Sequence, residues 1–206
     1  MKARLIHLFA FIALTLIAAI GFINLTDYST RPGASGIAPE RLDLADLSDV
    51  SWDLERTAGD TPVLLFFYHP KCPCTAATVR VLERLLPRTK SPPAITAFAY
   101  CPQDESDEWI QSRTTETLSH LDNTRIVIDR GGELSARFGA MVSGHILLYG
   151  SDRRLSFSGG ITPYRGHEGD SPGSIDLLHR INSPHHDCRT WAVFGCSIDA
   201  GREPEQ

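Results

Sequence analysis

The feature of this chain that most limits its fold is the run HPKCPCT at residues 69–75, which joins a strand-like segment to a helix-like one. The preceding residues, VLLFFY at 63–68, are almost entirely apolar, as in a central strand that is buried on both faces. Pro73 suits the first turn of a helix, because the N–H that it lacks would be unpaired there anyway. The pattern predicts a strand, a sharp turn and a helix that begins beside two cysteines, Cys72 and Cys74.

A thiol at the start of a helix has distinctive chemistry. Unpaired backbone N–H groups and the helix dipole favour the thiolate, which is the reactive form. Cys72, directly before the proline, is therefore the predicted nucleophile, and the positive charge of Lys71 is expected to stabilise it. A Cys72–Cys74 disulfide would close a very tight, strained ring. A structural zinc site normally needs a second, similarly spaced cysteine pair, which the sequence lacks.

The rest of the chain alternates between strand-like and helix-like segments. Strands are predicted at 63–68, 94–100, 125–129, 145–149 and 155–157, and helices at 49–56, 73–86, 104–121, 133–138 and 174–181. The early alternation predicts parallel strands joined by crossover helices, and a hairpin and a helix then complete the sheet. We predict an α/β domain with a central mixed sheet flanked by helices.

The N-terminus carries a long uncharged segment at residues 5–25, preceded by Lys2 and Arg4. A signal peptide has an apolar region of about 7–15 residues, whereas a membrane-spanning helix needs about 20. We interpret residues 1–25 as a signal anchor that stays attached; a cleaved signal peptide is the alternative. The basic residues predict a cytoplasmic N-terminus, which leaves the remaining chain in the periplasm on a single-pass inner-membrane helix.

Composition divides the remaining chain. Residues 26–50, rich in Ser, Gly, Pro and Asp, are predicted to be a linker, residues 51–182 one domain, and residues 183–206 a cysteine-containing tail. The net charge of −5 at pH 7 and the lack of a basic stripe argue against nucleic acid as a partner.

Over about residues 50–182, the strand–CPC–helix unit and the element order resemble the thioredoxin-like proteins. More narrowly, FYHPKCPCT at 67–75, FGA at 138–140 and SGGIT at 158–162 resemble the membrane-anchored bacterial RedB-type proteins. The resemblance implies a thioredoxin-like fold that exchanges electrons with protein thiols and disulfides and needs no organic cofactor.

Two departures from ordinary thioredoxins concern the site. Thioredoxins use Cys-x-x-Cys, so if Cys72 attacks, Thr75 occupies the position of their resolving cysteine. They also place a cis-proline close to the attacking sulfur, where this chain has Ser143 and Gly144. We expect Gly144 to contact Cys72 and to leave the cysteines open to a metal ion.

The other cysteines leave alternatives open. Cys101 ends a predicted strand, at the sheet edge where active sites form, so it could resolve a mixed disulfide or be a small buried hydrophobic residue. Cys188 and Cys196 are separated by seven residues, and a structural disulfide between them is the simplest interpretation. The alternative is that one of them folds back to resolve Cys72.

These observations predict a thiol–disulfide oxidoreductase. Cys72 would attack, Lys71 would stabilise its thiolate, and Cys74 or Cys101 would resolve the mixed disulfide.

Two other functions compete with this prediction. One is a copper-binding chaperone in which Cys72, Cys74 and either His145 or His69 bind Cu(I), a soft ion that prefers thiolates. The other is a redox sensor or assembly factor without turnover.

Overall fold

The computed structural model describes residues 2–43, 61–183 and 187–198. The chain falls into two compact units, residues 1–31 and residues 32–206. The short helix predicted at 49–56 lies outside the described residues.

The first unit is a single helix, α1 (Lys2–Thr30). Its portion Arg4–Thr30 has a mean hydropathy of 2.5 and is long and apolar enough to cross a membrane. At 1.5 Å per residue, such a helix exceeds the roughly 30 Å of a bilayer core. The predicted N-terminal apolar helix is present, and its length and composition suit either an anchor or a signal sequence.

The second unit is built on a six-stranded mixed sheet. Its strands are β1 (Val63–Tyr68), β2 (Ala94–Cys101), β3 (Thr124–Arg130), β4 (His145–Tyr149), β5 (Leu155–Gly159) and β6 (Arg189–Thr190). They lie in the order β3-β2-β1-β4-β5-β6. The first three strands are parallel, β4 is antiparallel to β1 and to β5, and β6 runs parallel to β5. The predicted mixed sheet is confirmed, with β6 as an addition.

Helices cover both faces of this sheet. They are α2 (Pro73–Leu85), α3 (Arg113–Ser119), α4 (Glu133–Arg137) and α5 (Pro172–Asn182), with 3-10 turns at Leu86–Arg88 and Asp107–Ile110. The single helix predicted at 104–121 is wrong, because the chain is extended at Ser112. The Ser112 hydroxyl instead caps α3 by accepting a hydrogen bond from the Thr115 amide at 3.1 Å.

Strand β1 is buried on both faces, which explains its continuous apolar sequence. Its alternate residues Leu64, Phe66 and Tyr68 belong to one apolar cluster, which includes residues of α2 and α5. Phe67 belongs to the other cluster and stacks on Phe98 with ring centroids 4.8 Å apart. Each residue of β1 is fully buried, so packing on both faces holds the strand that precedes the cysteines.

The predicted linker at 26–50 is divided in the structure. Helix α1 includes its first residues, whereas residues 33–42 lie against the sheet domain. The Gly33 amide donates to the Val193 carbonyl at 2.9 Å, and the Gly36 amide donates to the Gly139 carbonyl at 2.8 Å. Leu42 is buried in the apolar cluster beside Phe67. These residues are part of the folded domain.

The predicted tail also joins the domain. After β6, the Trp191 indole donates to the Asp176 carboxylate of α5 at 2.8 Å, and Val193 and Ile198 are buried. Residues 187–198 form a fixed strip, which we call the C-terminal strip. The C-terminal strip leads from the edge of the sheet to the start of α2.

Candidate functional site

The site begins at the N-terminus of α2. Cys72 is the N-cap residue, with extended backbone angles (φ −91°, ψ 124°), and Pro73 occupies the first helical turn. The Cys72 amide donates to the His69 carbonyl at 3.1 Å, which closes the turn after β1. The buried strand and the proline together place both cysteine side chains at the start of the helix, where backbone N–H groups are unpaired.

A third sulfur completes the site. Cys196, in the C-terminal strip, has its Sγ 3.1 Å from the Sγ of Cys72. The sulfur atoms of Cys72, Cys74 and Cys196 all lie within 4.8 Å of one another, and we call them the sulfur cluster. Cys72 and Cys74 are 4% and 5% exposed, whereas Cys196 is partly exposed.

Backbone contacts hold Cys196 in place. The Ser143 amide donates to the Cys196 carbonyl at 2.8 Å, and the Ile198 amide donates to the Met141 carbonyl at 3.0 Å. A side chain at Gly195 would place its Cβ 1.9 Å from the Ser143 carbonyl oxygen, so only glycine fits this approach. The guanidinium of Arg165 donates to the Gly195 carbonyl from the other side.

Hydrogen bonds between thiols divide the charge of the sulfur cluster unequally. The Cys196 and Cys74 thiols hydrogen-bond to the Cys72 sulfur, and these bonds hold the pKa of Cys72 far below its usual range despite its burial. Backbone hydrogen bonds from Cys196 and Thr75 act in the same direction. The pKa of Cys74 is raised, chiefly by its hydrogen bonds to Cys196 and Cys72, and that of Cys196 is raised by its bond to Cys72. Of the three cysteines, Cys72 is therefore the one whose surroundings most favour the thiolate.

A polar network connects the cysteine turn to the loop before β4. Ser143 Oγ accepts from the His69 amide at 2.9 Å and lies 2.5 Å from Thr75 Oγ1. The Thr75 hydroxyl donates to the His69 carbonyl at 3.1 Å, so the Ser143 hydroxyl donates to Thr75. Thr75, at the position of a thioredoxin's resolving cysteine, is fully buried and fixes the turn.

Lys71 makes a different contact from the one expected. Its Nζ lies 4.1 Å from the centroid of the Trp109 ring, in a cation–π interaction. The His69 ring packs between Tyr100 and Trp109, at 5.6 and 5.2 Å between centroids, and burial lowers its pKa. Sequence analysis did not assign Trp109 to the site, because it lies 38 positions after Lys71 in the chain and only the fold brings the two side chains together.

Cys101 and Cys188 both lie away from Cys72 in the structure. Cys101 lies outside the sulfur cluster: its buried sulfur is 3.3 Å from the Arg130 guanidinium and 3.6 Å from the Ser106 carbonyl. Cys188 and Cys196 are both free thiols in the structure, and the disulfide between them in the oxidised protein stays a prediction. Cys188 lies exposed before β6, while the C-terminal strip brings Cys196 to Cys72, which is the geometry that the alternative of a folded-back cysteine requires.

The histidine proposed as a metal ligand lies outside the sulfur cluster. His145 is buried, its Nε2 is 3.0 Å from Ser158 Oγ, and its Nδ1 has no hydrogen-bond partner among the described atoms. His69 is not part of the cluster either.

Gly144 has a φ of +99°, which favours glycine. A Cβ there would meet Thr78 Oγ1 at 3.1 Å and no atom of Cys72 within 4 Å, and the expected contact between Gly144 itself and Cys72 stays a prediction. The neighbour that faces Cys72 across this loop is Cys196, held by Ser143. The described residues contain no cis peptide bond.

Gly195→Ala tests the fit of the C-terminal strip. The added methyl group would collide with the Ser143 carbonyl, so we expect the strip to detach and the Ser143 amide to exchange its hydrogen about tenfold faster or more. Hydrogen exchange followed by mass spectrometry measures this. Ala192→Ser, at an exposed position of the strip, is the control and should leave that exchange unchanged.

His145 predicts a pH dependence of stability. Burial lowers its pKa from 6.5 to about 4, so between these values the unfolded chain binds the extra proton. The stability that neutral His145 contributes is fully present above the pKa of the unfolded chain, and it falls as the pH drops towards the pKa of the folded state. The loss should be about 2 kcal/mol between about pH 7 and pH 5.

Urea unfolding of the full chain at the two pH values measures this loss. His145→Gln should remove most of the slope, and His120→Gln, at an exposed position, should keep it. An unchanged slope in His145→Gln would show that other groups cause it.

Comparisons with solved structures bear on the fold. The chain is similar to a hypothetical protein from Sinorhizobium meliloti 1021, with 15% identity, a TM-score of 0.52 and coverage of 83% of this chain and 96% of that one. It is also similar to an uncharacterized conserved protein from Geobacillus kaustophilus, with 16% identity, a TM-score of 0.50 and coverage of 86% and 96%.

A further structural match is an exposed lipoprotein thioredoxin from Streptococcus pneumoniae, with 14% identity, a TM-score of 0.39 and coverage of 60% of this chain and 84% of that one. No protein-family model matches the chain. No curated protein matches it either. Similarity at this level concerns the fold alone: the sheet domain is a mixed α/β sheet flanked by helices, the fold class that the resemblance to thioredoxin-like proteins implies.

Proposed function

We propose that the protein is a membrane-anchored, extracytoplasmic thiol–disulfide oxidoreductase whose reactive pair is Cys72 and Cys196. The observation that carries this proposal is the 3.1 Å separation of their sulfur atoms. A disulfide has a length of about 2.05 Å, so a side-chain movement of about 1 Å joins the pair. The substrates are thiols and disulfides of other proteins, and the reaction needs no organic cofactor.

The chemistry uses the unequal acidity of the two thiols. Cys72 holds the negative charge at the helix N-terminus, and Cys196 supplies the second sulfur. When the protein reduces a substrate disulfide, the Cys72 thiolate and the Cys196 thiol together lose two electrons and one proton and form one S–S bond. The substrate S–S bond breaks, and the substrate takes up the two electrons, that proton and a second proton from water to become a dithiol. Cys196 thus replaces Cys74 and Cys101, which the sequence suggests as the partners of Cys72.

A redox titration of the full chain in detergent tests this pair. In glutathione buffers of increasing potential, peptide mapping should find one disulfide, between Cys72 and Cys196. Cys196→Ser should abolish it, because no other sulfur lies as close to Cys72 with an unstrained ring. The control Cys188→Ser should keep both the disulfide and its midpoint potential, since Cys188 lies outside the sulfur cluster. A Cys188–Cys196 disulfide in the parent would contradict the proposal.

Binding of copper is the second candidate function, and a separate observation favours it. Three sulfur ligands within 4.8 Å of one another suit a soft cation such as Cu(I), which prefers thiolates. The ligands would be Cys72, Cys74 and Cys196, with the last replacing the histidine, His145 or His69, that the sequence suggested. A copper chaperone or a sensor without turnover would use all three thiols, whereas disulfide exchange needs two.

Cys74→Ser separates the two functions. Cu(I) affinity, measured by competition with a chromogenic chelator, should fall about tenfold or more on loss of one of three thiolates. The Cys72–Cys196 disulfide should still form in this variant. Cys101→Ser is the matched control, because Cys101 is also buried but lies outside the cluster. If Cys74→Ser binds copper as the parent does, three-thiolate binding is refuted.

The helix α1 supports placement of the sheet domain in the periplasm, attached to the inner membrane. Lys2 and Arg4 precede the apolar segment, which favours a cytoplasmic N-terminus. The sequence resemblance to membrane-anchored RedB-type proteins agrees with this location, and an oxidising compartment suits a disulfide-exchanging pair.

Reporter fusions test this topology. A reporter joined after Gln206 that is active only when exported should be active, and one that is active only in the cytoplasm should be silent. The same pair of fusions on a chain lacking residues 1–25 should show the opposite result. Activity of the cytoplasmic reporter on the full chain would refute the location.

A further inference from the structure

Access to the reactive pair is unequal. Cys72, the thiolate, is 4% exposed and lies beneath the C-terminal strip, whereas Cys196 is partly exposed. Thiol–disulfide exchange requires the incoming sulfur to approach the attacked sulfur directly, with the reacting atoms about 3–3.5 Å apart. A sulfur atom of another protein therefore reaches Cys196 while the strip is in place, and reaches Cys72 only if the strip moves.

The strip is too firmly attached to act as a loose cover. Its residues Val193 and Ile198, on either side of Cys196, are buried. Backbone hydrogen bonds join it to Gly33 on one side and to Met141 and Ser143 on the other. Its displacement would expose apolar surface and break these bonds at each catalytic cycle.

The surroundings of Cys196 also suit an incoming thiolate. The guanidinium of Arg165 donates to the carbonyl of Gly195, the residue directly before Cys196. This cation favours the approach of a negatively charged sulfur. Ser197, on the other side of Cys196, is exposed among the described residues.

We propose that Cys196 is the cysteine that exchanges with other proteins and that Cys72 is its internal partner, which never forms the mixed disulfide. This inference rests on the proposed function and assigns the opposite order of roles from an ordinary thioredoxin. The substrate is a cysteine of another protein, in a segment exposed enough to reach the surface at Ser197.

Oxidation of a substrate dithiol takes two steps. A substrate thiolate attacks Cys196 Sγ, the Cys72–Cys196 bond breaks, and Cys72 leaves as a thiolate. The second substrate thiolate then attacks the first substrate sulfur, and Cys196 leaves as a thiolate that takes up a proton. The substrate loses two electrons and becomes a disulfide, and the protein gains them as two reduced cysteines; substrate reduction follows the same steps in reverse.

Glutathione disulfide serves as the probe for this order. Two variants of the full chain, Cys72→Ser and Cys196→Ser, are prepared in detergent, each also carrying Cys188→Ser. Each variant is reduced and then reacted with glutathione disulfide. Trypsin separates the peptide that contains Cys72 and Cys74 from the one that contains Cys196, so the position of the glutathione adduct can be read by mass spectrometry. We expect the adduct on Cys196 to form at least about tenfold faster than the adduct on Cys72.

A second variant separates access from intrinsic reactivity. Gly195→Ala should detach the strip, so in combination with Cys196→Ser it should speed adduct formation on Cys72. Ala192→Ser in the same background is the control and should not. Faster reaction of Cys72 than Cys196 in the first comparison, or no effect of Gly195→Ala in the second, would overturn the inference.

The redox titration and the glutathione reaction together distinguish the order of roles from the oxidoreductase function itself. A Cys72–Cys196 disulfide in the redox titration together with an adduct on Cys72 would leave the oxidoreductase proposal standing and overturn only the order of roles. Failure of that disulfide to form at any potential would overturn both.

Discussion

The contact between Cys72 and Cys196 is the interaction around which the site is arranged. Their sulfur atoms are 3.1 Å apart, although 123 residues lie between the two cysteines in the chain. One sulfur is held by the N-terminus of α2 and the other by backbone hydrogen bonds to the loop before β4. Because both anchors are parts of the packed domain, the pair is preorganised for bond formation or for holding a soft cation.

The loop before β4 connects these two anchors. Ser143 bonds to the backbone of the cysteine turn through its hydroxyl and to Cys196 through its amide. In ordinary thioredoxins a cis-proline stands in this loop, and it forms one wall of the open site. Here the loop instead receives the C-terminal strip, which covers Cys72 and leaves Cys196 closer to solvent.

Much of the fold was predictable because its signals are local. The apolar run of β1, the proline at the start of α2 and the turn residues between later strands each predict their own element. The helix predicted at 104–121 failed for a local reason as well, since the Ser112 hydroxyl satisfies an amide that helix continuation would have used. Strand β6 was missed because two residues carry no periodicity, and only pairing with β5 defines it.

The sequence by itself determined that a cysteine stands at a helix N-terminus, where a thiolate is favoured, since a buried strand, a cysteine and a proline in succession leave few other conformations. Tertiary structure alone decided which second sulfur reaches it. The spacing of Cys188 and Cys196 suggested a local disulfide, but β6 pairing and the burial of Val193 and Ile198 direct the strip across the domain. Such long-range burial depends on the shape of the assembled core, which no local pattern of residues contains.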